Sequence, residues 1–113
     1  MKSRNEIWLA DLNPQIGTET GKMRPVLIVQ TDLLNHQGHN STIIFPITTK
    51  IKHAEPIRIF LKAGTCGVSN DSEIMLDQIR AIDNSRFVKK IGDVSKDIEL
   101  KINKFLRAVL ELS

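Results

Sequence analysis

The chain is short of several residue types, and each shortage removes a class of function. One cysteine in 113 residues rules out an internal disulfide. That residue, Cys66, lies in Gly64-Thr-Cys-Gly67, a tight-turn sequence in which it reads as a bystander and not as a nucleophile. Aromatic residues make up 4% and tyrosine is absent, so a sheet platform that stacks several RNA bases is excluded. No apolar run approaches the ~20 residues that cross a bilayer as a helix. No basic segment leading into an apolar one opens the sequence, and the expected location is cytoplasmic, without a membrane partner. Of the histidines, His36 and His39 have HxxH spacing but fall in a polar loop with no cysteine or carboxylate cluster nearby, and His53 stands alone. A zinc site needs three or four convergent ligands, so no metal is expected. There is no glycine-rich phosphate loop or dinucleotide fingerprint, and no cofactor is expected. A net charge of +3 is compatible with a polyanionic partner but equally with a balanced surface.

What is present fits a single domain, residues 1–113, with material for one core. Residues 6–12, Glu-Ile-Trp-Leu-Ala-Asp-Leu, are strand formers ending at the turn signal Asn13-Pro14. Residues 13–23 form a loop with Gly17 and Gly21, too long for a hairpin turn and of a length that is often functional. Residues 25–30 read as a second strand, and Asp32-Leu-Leu-Asn35 as one helical turn. Residues 42–48 are a third strand, in which Pro46 points to an edge or a bulge. In residues 57–61 Ile57, Ile59 and Leu61 alternate with Arg58 and Phe60, the pattern of a half-buried strand. Residues 72–82 read as one long strand, and Ile91 as part of a last short one. From Ser95 the period changes. Ile98, Ile102, Phe105, Leu106, Val109 and Leu110 make one apolar helical stripe, with Ser95 as N-cap and Asp97 and Glu99 at the positive end of the dipole. Five to seven short strands followed by one helix predict a mainly β fold, a small and partly closed antiparallel barrel.

The polar residues of interest fall at strand ends. Arg24 precedes Pro25, so its backbone is pushed toward the extended region. Pro25, lacking an N–H, suits the first position of a strand. A permanently charged guanidinium therefore stands at the mouth of a core strand, beside a loop carrying Glu19 and hydroxyls. Taken alone, Arg24 is equally a surface arginine paired with Glu19. Thr48 and Thr49 close another strand just before Lys50, and Thr48 is equally a hydroxyl that caps its own turn. Asp77-Gln78-Ile79-Arg80 interrupts the apolar run of residues 72–82. Buried polar groups there need partners, because an unmet one costs about 1–3 kcal/mol.

Five pieces occur in order over nearly the whole chain: Glu6-Ile-Trp-Leu-Ala-Asp-Leu-Asn-Pro14, Gly17-Thr-Glu-Thr-Gly21, Arg24-Pro-Val-Leu-Ile-Val-Gln30, Pro46-Ile-Thr48, and Leu76-Asp-Gln-Ile-Arg-Ala-Ile-Asp83 followed by Ser85-Arg86. Together they resemble the MazF/PemK family of type II toxin–antitoxin endoribonucleases. The resemblance implies an SH3-like barrel of the PemK/CcdB kind that forms a homodimer. It implies metal-independent, sequence-selective cutting of single-stranded RNA, in which a 2′-hydroxyl attacks the adjacent phosphate to leave a 2′,3′-cyclic phosphate and a 5′-hydroxyl. Arg24 aligns with the family's catalytic arginine, Thr48 with its catalytic threonine and Glu19 with a loop acid of some members. Glu19, Arg24 and Asp77 stay open as the general base, a carboxylate being the easier chemistry because arginine holds its proton to a pKa above roughly 12. The PemK/Kid branch has a histidine and an arginine where this chain has Thr18 and Met75, so only Asp77 carries over from it.

For substrate binding, the resemblance directs attention to Thr18, Thr20, Lys22, Thr49, Lys50, Asp77 and Gln78, with Lys52 and Arg86 as further phosphate contacts. A MazE-like antitoxin is expected to lay its C-terminal segment in the RNA groove. Two alternatives share the fold: a CcdB-like toxin that binds gyrase without a nuclease site, and a catalytically inactive SH3-like binding module.

Overall fold

The computed structural model describes residues 2–13, 17–18 and 22–113. Seven antiparallel strands, β1 (Glu6–Asp11), β2 (Met23–Ile28), β3 (Ser41–Thr48), β4 (Arg58–Leu61), β5 (Ser72–Met75), β6 (Arg80–Asp83) and β7 (Phe87–Asp93), form one sheet, with a one-turn helix α1 (Asp32–Asn35) and a C-terminal helix α2 (Lys96–Leu110). The order across the sheet is β4-β5-β3-β2-β1-β7, and β6 pairs with β3 beside β5. The expected mainly β fold, its strand number at the upper end of the expected range and its closing helix are all present.

β2 and β3 run through the middle, and their sequences say why. Val26, Leu27 and Ile28 are apolar without alternation, as are Ile44, Phe45 and Ile47, which suits strands buried on both faces. On one face Leu27, Phe45, Ile47, Ile59 and Ile74 form the larger core, closed by Ile102 of α2 with Ile98, Phe105 and Leu106 packed around it. On the other face Ala10, Val26, Ile28, Ile44 and Ile82 form a smaller cluster, flanked by Trp8 and Phe87 in a T-shaped pair with ring centroids 6.0 Å apart. The Ser95 hydroxyl accepts the Ile98 N–H at 3.3 Å, so the N-cap is where the pattern predicted it. α1 is likewise the expected helical turn.

The ends of the sheet meet through a loop. A Cβ on Gly67 would lie 1.9 Å from the Ile91 carbonyl oxygen, and one on Gly92 would lie 2.1 Å from that of Cys66. The turn between β4 and β5 therefore rests backbone to backbone on β7, which only glycine permits at both points. This contact joins the two flanks of the curled sheet.

Three expectations need correction. Residues 72–82 are not one strand: β5 ends at Met75, Leu76–Gln78 make a 3₁₀ turn, and β6 begins at Arg80. Pro46 marks neither an edge nor a bulge; it is paired with Val26 inside the sheet. Val29 and Gln30 donate to Ile43 on the β2 side, so alternation turns the backbone of Ile44 and Pro46 the other way. On that side β6 ends its pairing at Ile44 and β5 begins at Ile47. The missing N–H of Pro46 falls in the gap between two partners, where no ladder bond is lost. The last strand is also longer than the expected short piece around Ile91, running from Phe87 to Asp93.

Candidate active site

Strand register assembles the site. Ala10 stands opposite Arg24, Thr48 opposite Glu73, and Glu73 opposite Phe60. β2 and β3 pair Val26 with Pro46, and the same register carried two residues further sets Arg24 opposite Thr48. The ladder stops short of that point because Pro25 has no N–H to give Ile47. Arg24, Thr48, Glu73 and Phe60 thus form a row across β2, β3, β5 and β4, on the sheet face away from the larger core. Neighbours in such a row stand about 5 Å apart at Cβ. Two candidates taken from separate stretches of sequence, Arg24 and Thr48, share one face at the same end of adjacent strands.

Their environments suit anion chemistry. Arg24 is half-buried, and burial lowers its pKa from the usual arginine value. An arginine starts so far above neutrality that it remains a cation. Thr48 is 7% exposed, and its hydroxyl oxygen accepts the Lys50 N–H at 3.1 Å. The turn-capping role and the site role are therefore compatible: one lone pair is used by the turn, and the O–H hydrogen remains to be donated. Thr48 and Thr49 also line a cavity of about 350 Å³ with Leu9, Pro25, Ile47, Val68 and Lys89, which Arg24 does not line. Thr49 and Lys50 are exposed directly after the strand.

The loop between β1 and β2 flanks Arg24. Its base is tied by Leu12 N–H to the Lys22 carbonyl at 2.9 Å and Lys22 N–H to the Asn13 side chain at 2.7 Å. Thr18 and Lys22 are exposed on it. Glu19 and Thr20 lie outside the described residues. Arg86 was expected at phosphate, yet its Nη1 donates to the carbonyls of Asp11, at 3.0 Å, and of Asn13. It anchors the base of this loop from the far side of the chain. Asp77 is exposed and Gln78 half-buried in the 3₁₀ turn between β5 and β6. They therefore do not sit inside an apolar strand, and the need for buried partners at Asp77 falls away.

Sequence reasoning missed Glu73 and Arg58. Glu73 is 1% exposed in β5, and Arg58 is buried in β4 with its Nη1 3.9 Å from a Glu73 carboxylate oxygen. The alternation of Ile57, Ile59 and Leu61 with Arg58 and Phe60 put Arg58 on an outer side. Arg58 is instead buried, while Phe60 on the same side of β4 is 39% exposed, and both line a cavity of about 330 Å³ with His53, Glu55 and Glu73. The signal available was the charged pair itself, one member in each of two short apolar strands.

Residues 3–110 match the family described as PemK-like, MazF-like toxin of type II toxin-antitoxin system. The chain is 36% identical to endoribonuclease EndoA of Bacillus subtilis, over 96% of this chain and 94% of that protein. It is 32% identical to endoribonuclease MazF9 of Mycobacterium tuberculosis, over 99% of this chain and 98% of that one. In fold it resembles an endoribonuclease solved in complex with its cognate antitoxin from a mycobacterial species, with a TM-score of 0.81 at 18% identity over 100% of this chain and 98% of that one. It also resembles the M. tuberculosis toxin MazF-mt6, with a TM-score of 0.80 at 19% identity over 96% and 98% of the two chains. A family match that runs from the third residue to the last residue of α2, on a fold that sets Arg24 and Thr48 side by side, leads to one conclusion: the chain belongs to the PemK-like, MazF-like toxins of type II toxin–antitoxin systems.

Proposed function

We propose that this chain is an endoribonuclease that cuts single-stranded RNA by internal transesterification, without a metal ion. The observation that supports this most is the register that sets Arg24 opposite Thr48 on one sheet face. In the reaction the 2′-oxygen forms a bond to phosphorus, the bond from phosphorus to the 5′-oxygen breaks, and a 2′,3′-cyclic phosphate and a 5′-hydroxyl result. One group takes the 2′-OH proton and another protonates the leaving oxygen. The charge that builds on the non-bridging oxygens needs fixed donors.

Arg24 supplies a planar fork of donors for those oxygens. Thr48 supplies its O–H, its oxygen being already held by the Lys50 N–H. The base is one of Glu19, Arg24 and Asp77, a carboxylate being the easier chemistry because arginine holds its proton so tightly. Thr18, Thr20, Thr49, Asp77 and Gln78 contact bases, and Lys22, Lys50 and Lys52 contact phosphates. Arg86 is withdrawn from that set, because it is engaged with the loop backbone. The working form is a homodimer, neutralised by a MazE-like antitoxin whose C-terminal segment takes the place of RNA. The gyrase-binding and inactive-module alternatives have no such pairing of Arg24 with Thr48 behind them.

The test is cleavage of a defined RNA by the purified protein in EDTA. Wild type should cut and leave cyclic phosphate ends. Arg24→Ala should lose roughly 10³-fold in rate, the scale on which one oxyanion donor acts, while its circular dichroism and oligomeric state stay unchanged. RNA left whole by wild type, or cut equally by Arg24→Ala, would remove the proposal. Comparing Glu19→Gln and Asp77→Asn by pH–rate profile identifies the base: its variant loses the acid limb.

A further inference from the structure

We infer that Glu73 is a positioning residue of the RNA site: its buried carboxylate latches the basic loop that follows Thr48. The inference rests on the endoribonuclease reading above. Residues 49–57 join β3 to β4, and their backbone N–H groups need acceptors. Three of them find side chains. Lys50 donates to the Thr48 hydroxyl at 3.1 Å, Lys52 to Glu73 Oε1 at 2.9 Å and His53 to Glu73 Oε2 at 2.9 Å. Each carboxylate oxygen takes one of two consecutive loop N–H groups. Since Glu73 stands opposite Thr48, the latch and the hydroxyl belong to the same row of the sheet.

Burial makes this arrangement informative. Glu73 is 1% exposed between Ser72 and Ile74, where an apolar residue would be the inexpensive choice. Its nearest cation, Arg58, is 3.9 Å away, too far for a hydrogen bond. Arg58 Nε, itself buried, has no partner among the described residues. The ion pair is thus poorly made on its own terms, and buried pairs are in any case weak sources of stability. What the carboxylate does make well is the pair of bonds to the loop. The loop carries Lys50 and Lys52, both exposed, within four residues of Thr48. His53 is drawn into a left-handed conformation, φ 52°, with its ring 6.0 Å from that of Phe60. Holding the 52–53 backbone fixes where these two ammonium groups stand relative to the Thr48 hydroxyl. They would meet phosphates flanking the scissile one.

The test compares Glu73→Gln and the double variant Arg58→Met/Glu73→Val with wild type. Glu73→Gln keeps one acceptor but sets an NH₂ against the other loop N–H. It should raise KM for RNA about tenfold, the factor that one charge-assisted hydrogen bond corresponds to. kcat should move less than KM, and the dependence of binding on salt should flatten as phosphate contacts are lost. The double variant removes the buried charges together, so its stability should return toward wild type, while KM stays raised. A double variant with wild-type KM and salt slope would show Glu73 to be structural only and end the inference. Amide exchange at Lys52 and His53 separates this from failure of the nuclease reading. If wild type does not cut RNA but exchange at both amides rises in Glu73→Gln, the latch stands and the activity assignment falls. Unchanged exchange there removes the latch whatever the activity.

Discussion

Two rows of residues cross β3, β5 and β4 one position apart, and they have opposite fates. Ile47, Ile74 and Ile59 lie opposite one another and are buried in the larger core. Thr48, Glu73 and Phe60 are the next residues in the same register and turn to the other face. One step along each strand therefore separates a wall of isoleucine from a row that ends at Phe60 on one side and is polar from Glu73 through Thr48 to Arg24 on the other. The first row is held by burial, which is non-directional, and any apolar residue of the right volume would serve. The second is held by specific hydrogen bonds, Lys50 to Thr48 and Lys52 and His53 to Glu73, so its chemistry is particular to each residue. Substitutions in the first row should act on stability, and those in the second on activity.

The sharpest break comes from Ile74→Ala, which empties a fully buried site. It should cost about 2–5 kcal/mol in urea unfolding while activity per folded molecule holds, as large-to-small core changes generally do. Thr48→Val is nearly isosteric and should leave most of the stability in place. The rate of RNA cleavage should fall roughly 10²-fold, the lower end for loss of one fixed donor, and Thr48→Ser should restore most of it. A smaller effect is expected on the core side at Ser95→Ala, where the α2 cap is lost for about 1 kcal/mol without change in cleavage.

The smallest effect concerns pH at the far end of the site face. There Glu6 shares the alternation of Trp8 and Ala10 on β1. Partial burial raises the Glu6 pKa, but hydrogen bonds from Trp8 Nε1 at 2.9 Å, Ser3 N–H at 3.0 Å and the Lys90 ammonium outweigh it, and the net shift is downward. A carboxyl whose folded pKa lies below its unfolded one adds stability that is complete above the unfolded value. That stability is lost as pH falls through the folded value. Wild type should therefore weaken on acidification below the ordinary carboxylate range. Glu6→Gln should weaken by less over the same interval, as read from urea midpoints at neutral and acid pH.

Local signals were legible wherever a single stretch carried the whole argument. The change of period at Ser95 located α2 and its cap, because capping and amphipathic spacing act within one segment. The apolar run after Pro25 located β2 as a buried strand and residues 42–48 were legible as a strand, with Arg24 and Thr48 as polar punctuation at their ends. Pro46 misled because the rule that confines proline to edges assumes one partner along a whole side. β3 changes partner from β6 to β5 at that point. Residues 72–82 misled because their apolar composition suits a strand and also a strand, a 3₁₀ turn and another strand. Arg86 reads as a free cation until the fold brings Asp11 and Asn13 to it.

By itself, the order of residues determined that there would be short strands and one closing helix, with no disulfide, and with an arginine and a threonine at strand ends. These follow from propensity, periodicity and chemical inventory, which depend on near neighbours. Only the tertiary structure decided that Thr48 would face Glu73, that Arg58 would be buried, and that a glutamate far along the chain would hold the loop after Thr48. Those outcomes depend on register between strands, and a shift of one residue would have sent the whole polar row into the isoleucine core.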